Sequence, residues 1–121
     1  MDLSAAKELI HIQGWLERVE EITRRGKDAY VADPLLQEAG DSLMMKVGEA
    51  ANRLAKLEVL PPKGVRWAIA IANRNFLIHQ YDDINRDITW ETLSRDLFKW
   101  RVSLEAQFAQ AQKAIRHRAA D

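Results

Sequence analysis

The chain predicts an all-α fold, an up-down antiparallel four-helix bundle with room for one extra short helix. Three observations lead there. Apolar residues recur at spacings of three and four in four separate stretches. Five glycines and three prolines are few, and the strongest breakers fall between those stretches. No run alternates β-branched and polar residues as a half-buried strand would. At 121 residues the chain reads as one domain, 1–121, long enough for a single core.

The first predicted helix covers about residues 3–25, with Leu9, Ile12, Leu16 and Val19 as its apolar stripe and "RRG" at its end. The second opens at "ADPLL", where Asp33 is a good N-cap. Pro34 at the first helical position gives up only a hydrogen bond that would be unpaired anyway. Leu36, Ala39, Leu43, Val47, Ala50, Leu54 and Leu57 carry it to about Glu58. Gly40 and Gly48 lie inside it, each at a cost of about 1 kcal/mol relative to alanine, which suggests close approach by a neighbour.

"VLPPKG" breaks the chain, and a third helix is expected from about Val65 to His79. "YDDINRD" reads as a loop. Thr89 can cap a fourth helix whose seam is Leu93, Leu97, Trp100, Leu104, Phe108, Ala111 and Ile115, with "RHRAAD" as a frayed tail. Short connections make consecutive helices antiparallel neighbours.

Composition narrows the function. No apolar run approaches the roughly 20 residues of a membrane span, and the amino terminus does not read as a signal peptide. The absence of cysteine excludes disulfides and thiolate metal sites and fits a cytoplasmic location. Residues 1–60 carry eight Lys/Arg and eleven Asp/Glu, a net −3; residues 61–121 carry ten and seven, a net +3. That asymmetry is too mild to assign a polyanion partner. Without cysteine or a Gly-rich phosphate loop, thiol enzymes and nucleotide-fold enzymes drop out. His11 and His117 have no ligand-spaced partners, and Asp82, Asp83 and Asp87 read as a solvated acidic loop; no metal or cofactor is expected.

What remains is "NRNFLIHQYDD", with Arg74, Asn75, His79 and Tyr81. On a straight helix Arg74 and Tyr81 share a face, whereas His79 lies about 140° round from Arg74. One reading is structural: Arg74 and Tyr81 pack, and His79 bonds a backbone carbonyl. The other is phosphodiester cleavage without metal. Arginine offers a fixed fork of donors to a phosphate gaining charge, and histidine exchanges a proton near neutral pH. RNA supplies its own nucleophile, the 2′-hydroxyl. Arg74 and His79 then form one site if the helix ends near His79, or if two chains share the site. Ala68, Ala72, Asn75 and His79 make a narrow small-residue face on which the third helix can pack against its own copy, giving a homodimer.

"RNFLIHQY" has the form Arg-x4-His-x-Tyr. With "VGEAANRL" at 47–54, Trp67 before the motif and "DINRDITWETLSRDL" at 83–97 after it, the chain resembles the HepT-like proteins. These belong to the HEPN superfamily of helical, mostly metal-independent ribonucleases. The likeness extends over essentially the whole chain and is strongest over 38–98, although "IAIAN" lacks the glycine often found before the arginine. The resemblance implies a HEPN-like bundle and the toxin half of a prokaryotic toxin–antitoxin pair. Its partner would be a minimal nucleotidyltransferase (MNT) antitoxin, and its substrate transfer or messenger RNA. It also implies a homodimer with the motif in the cleft between protomers, catalysis by Arg74 and His79 with Asn75 in support, and Tyr81 as the acceptor of AMP from the antitoxin. Glu49, in the Gly-Glu-Ala segment, either bonds Arg74 or His79 and orients it, or caps or bridges elsewhere. RNA affinity is expected from a local patch of Arg66, Arg86 and Arg95 around Arg74. The competing reading is a non-catalytic helical partner of a nucleotidyltransferase, binding a nucleotide through the same Arg74 and Tyr81.

Overall fold

The computed structural model describes residues 1–120 and is helical almost throughout. Helix α1 spans Leu3–Thr23, α2 Lys27–Ala32, α3 Pro34–Lys56 and α4 Trp67–His79. A single 3-10 turn, Tyr81–Asp83, leads to α5 at Arg86–Glu91. A wide π turn at Thr92–Asp96 joins α5 to α6, Leu97–Ser103, and α7, Glu105–Ala120, follows. The short α2 is the extra helix the bundle had room for.

Cross-chain contacts fix the directions. On one side of α1, Glu8 pairs with Arg53 near the far end of α3. On the other, Glu20 pairs with Arg101 and Gln13 accepts from Gln112. Helix α3 in turn meets α4 with Gly48 opposite Ala70 and Arg74. Each neighbour therefore runs antiparallel to the last, as an up-down bundle requires. Leu9, Ile12, Leu16, Val47, Ala50, Leu54, Leu93, Leu104 and Phe108 close the core between them. Trp67 seals one end, its indole N–H donating to Val59 O at 2.8 Å and its ring edge-on to Trp100. Helix α4 packs mainly on α3 and presents Ile69, Phe76 and Ile78, nearly half exposed, to its outer side. Among the described residues no helix is long and apolar enough to cross a membrane.

Helix α3 starts as expected, with the Asp33 carboxylate accepting from Leu35 N at 2.9 Å and Pro34 in the first turn. It stops in a Schellman motif: Glu58 N donates to Ala55 O and Val59 N to Leu54 O. The left-handed residue of that motif is Glu58, at φ 60°, where glycine is usual.

Three expectations need correction. The fourth helix begins at Arg86, not Thr89, because Asn85 accepts from Asp87 N and Ile88 N and caps it there. Thr89 is buried instead, facing Tyr30. The tail is not frayed up to Ala120, which ends α7; Asp121 lies outside the described residues.

Candidate functional site

Arg74 is built into the α3–α4 contact. A Cβ on Gly48 would stand 2.5 Å from Arg74 Cβ and 2.6 Å from Ala70 O, so only glycine lets the two backbones come this near. The arginine side chain then runs along α3 past Glu49, whose Oε1 lies 3.7 Å from Arg74 Nε. Its Nη1 donates to Asn75 Oδ1 at 2.9 Å, its one side-chain hydrogen bond among the described residues. Nε is buried and has no hydrogen-bond partner there. The structure thus brings Arg74, Asn75 and Glu49 together and leaves most of the guanidinium fork uncommitted. The remaining Nη hydrogens, of a side chain one-third exposed, are the donors open to an acceptor from outside.

Helix α4 ends at His79, its last helical residue. The residue is exposed and stands in the last turn of the helix. Tyr81 does not continue the helical face of Arg74, because it opens the 3-10 turn instead; 61% exposed, it projects beside the helix end. No hydrogen bond joins His79 or Tyr81 to the Arg74 cluster among the described residues.

The expected RNA-contacting arginines separate. Arg66 is exposed at the start of α4. Arg95 is exposed and reaches Glu91 one turn earlier at 3.8 Å. Arg86 is neither free nor at the surface in the sense expected. It forms a two-pronged pair with the buried Asp41, Nη1 to Oδ1 at 2.7 Å and Nη2 to Oδ2 at 3.0 Å. The same guanidinium reaches Tyr30 Oη at 3.5 Å; Tyr30 bonds Thr89 Oγ1 at 2.6 Å, and Thr89 donates back to Arg86 O. The hydrogen bond that Arg86 donates to Asp41 pushes the Arg86 pKa further up, against the opposing effect of burial. Arg86 is a structural anchor for α5. Sequence offered no hint of this circuit, because its members lie up to 59 positions apart.

The all-helical antiparallel bundle is that of a HEPN-like protein. Residues 12–110 match the model of the family described as "Ribonuclease HepT-like", and the chain belongs to that family. It is 32% identical over 82 residues to a curated protein from Caldanaerobacter subterraneus subsp. tengcongensis provisionally named an RNase, covering 68% of this chain and 70% of that one. No solved structure matches it. Family membership gives the chain a ribonuclease-type function.

Proposed function

We propose that the chain is a metal-independent ribonuclease that acts as the toxin of a toxin–antitoxin pair on transfer or messenger RNA. The observation that carries this reading is Arg74, fixed beside Glu49 and Asn75 with uncommitted donors, on a helix whose last residue is His79. The guanidinium binds the scissile phosphate and offsets the charge that grows on its oxygens. The RNA 2′-hydroxyl attacks phosphorus and the 5′-oxygen leaves, giving a 2′,3′-cyclic phosphate and a free 5′-hydroxyl. His79 takes the proton from the attacking hydroxyl or gives one to the leaving oxygen. Asn75 holds the guanidinium in plane, and Glu49 sets its azimuth.

A homodimer completes the site. The exposed outer face of α4 carries Ala68, Ala72, Asn75 and His79, flanked by Ile69 and Phe76, and suits close packing on a second copy. The second His79 then performs the other proton transfer. In this reading a nucleotidyltransferase antitoxin silences the enzyme by placing AMP on Tyr81, whose exposure makes the hydroxyl reachable in the folded protein.

The test uses protein whose intact mass shows no AMP, incubated with total cellular RNA in EDTA beside Arg74→Ala and His79→Ala. Cleavage by the wild type alone establishes the activity and its site. No cleavage by unmodified, dimeric protein favours a non-catalytic partner of a nucleotidyltransferase that binds nucleotide through Arg74 and Tyr81.

A further inference from the structure

A groove on the other side of α3 from α4 has the chemistry of a polyanion track. It consists of two hollows between α1 and α3, about 340 and 420 Å³, which share Arg18, Leu43 and Lys46 and so form one continuous surface. Arg25 lines the first hollow, and Arg18, Arg25 and Lys46 are all exposed. None of the three has a carboxylate within ion-pair distance among the described residues, and Glu21 is the one acid in the lining. Three cations against one carboxylate leave a local +2 on a chain whose formal net charge is zero. The second hollow holds the ring pair of His11 and Trp15, 5.7 Å apart and tilted by 34°.

The position of the groove matters as much as its charge. Lys46 lies one turn before Glu49 on α3, about 4.5 Å along the helix axis, and the Glu49 carboxylate faces Arg74. Arg18 on α1 and Arg25, in the turn just after that helix, extend the line further. We propose that this groove carries the backbone of a single-stranded RNA toward Arg74, with Arg18, Arg25 and Lys46 on successive phosphates and Trp15 stacking on a base. The proposal rests on the ribonuclease reading. A row of cations beside an aromatic ring that keeps part of its face open, as the half-buried Trp15 does, is how single strands are held without regard to sequence. An acidic protein segment would use the cations but have no use for the rings.

The experiment measures binding, not cleavage. Fluorescence anisotropy follows a labelled 2′-O-methyl RNA of roughly 12 nucleotides, a length within the usual span of single-strand sites, in EDTA over a range of KCl. The full chain is compared with the triple variant Arg18→Gln, Arg25→Gln, Lys46→Gln, with Glu21→Gln, and with Lys99→Gln as a control on α6. The triple variant is expected to bind at least tenfold more weakly. Its slope of log affinity against log salt should flatten by about 2, since each phosphate contact on a single strand contributes about 0.7. Glu21→Gln should tighten binding, and Lys99→Gln should leave it unchanged.

A folded triple variant with wild-type affinity and slope overturns the track. If that variant fails to fold, an unchanged affinity in both Lys46→Gln and Glu21→Gln overturns it equally. Wild type that cleaves ordinary RNA while the triple variant binds normally defeats the track alone. Groove-dependent binding without cleavage keeps the track and defeats the catalytic reading. Wild type that neither cleaves nor binds defeats both.

Discussion

Arg74 sits where it does because Gly48 has no side chain: the Cβ that any other residue would bring lies 2.5 Å from Arg74 Cβ. Backbone oxygen of Ala70 blocks the alternative direction at 2.6 Å, so neither helix can yield locally. Gly48→Ala should therefore separate α3 from α4, destabilise by about 1–3 kcal/mol and reduce RNA cleavage more than the stability loss explains. Gly40→Ala is the comparison. There the obstacle is the Leu93 Cδ1 at 2.8 Å, the far end of a flexible side chain, and a smaller loss is expected. Urea unfolding of both variants beside a cleavage assay decides; equal losses would show that the α3–α4 contact is more pliable than its geometry indicates.

The Asp41–Arg86 pair should be costly to break and hard to replace. Asp41→Ala strands a partly buried guanidinium, and a loss of about 1–3 kcal/mol is expected. Arg86→Lys keeps the charge but cannot make two parallel bonds, so it should recover only part of that stability. A double-mutant cycle on Asp41 and Arg86 reads the coupling directly, and a coupling near zero would contradict the assignment.

Glu58 offers a gain. It holds a left-handed conformation at φ 60° that an L side chain adopts at a cost of about 1 kcal/mol. Glu58→Gly should raise stability by about 0.5–1 kcal/mol, with the midpoint of urea unfolding as the readout. A decrease would mean that the Glu58 side chain makes a favourable contact outweighing its backbone strain.

His79 separates activity from stability. Exposed at the end of α4, it can be replaced by alanine with a stability change within about 0.5 kcal/mol. Loss of a general acid or base should nevertheless lower cleavage by about 100-fold or more. Unchanged cleavage by His79→Ala would remove the residue from the mechanism.

AMP on Tyr81 should abolish cleavage while leaving the melting temperature close to that of the unmodified protein, since the side chain is 61% exposed and carries no core packing. Inactivation would then come from the bulk and charge added beside the end of α4. A strongly lowered melting temperature in the modified protein would point to unfolding as the cause of inactivation.

Much of this architecture is legible in the sequence because local rules fix it. Asp33–Pro34 starts α3, the paired prolines 61 and 62 separate α3 from α4, and the α1 stripe is buried as its spacing predicts. Helix α2, at six residues, is too short to show a period. Thr89 looks like a cap from its type, but Asn85 makes the bonds, and tertiary pairing with Tyr30 draws Thr89 inside. The motif around Arg74 and His79 stands out as a pattern, whereas the fate of Arg86 depends on Asp41, 45 positions earlier. The clustering of Arg18, Arg25 and Lys46 likewise needs two helices laid side by side. Half-chain charge sums of −3 and +3 do not locate it.

The π turn at Thr92–Asp96 has a consequence for how this chain tolerates change in length. Such a turn accommodates one residue more than an α-helix would, and here the hydroxyls of Thr92 and Ser94 bond the carbonyls of Ile88 and Trp90 across it. Everything after it is therefore rotated by about 100° relative to a straight continuation of α5. Thr89 before the turn and Phe108 after it are both buried. Deleting a single residue from this turn would leave a more regular helix, yet turn the seam of α6 and α7 away from α1. Relatives of this protein should thus vary in length at the α2 connection and the 57–66 connection, and keep the residue count between Arg86 and Leu104 constant.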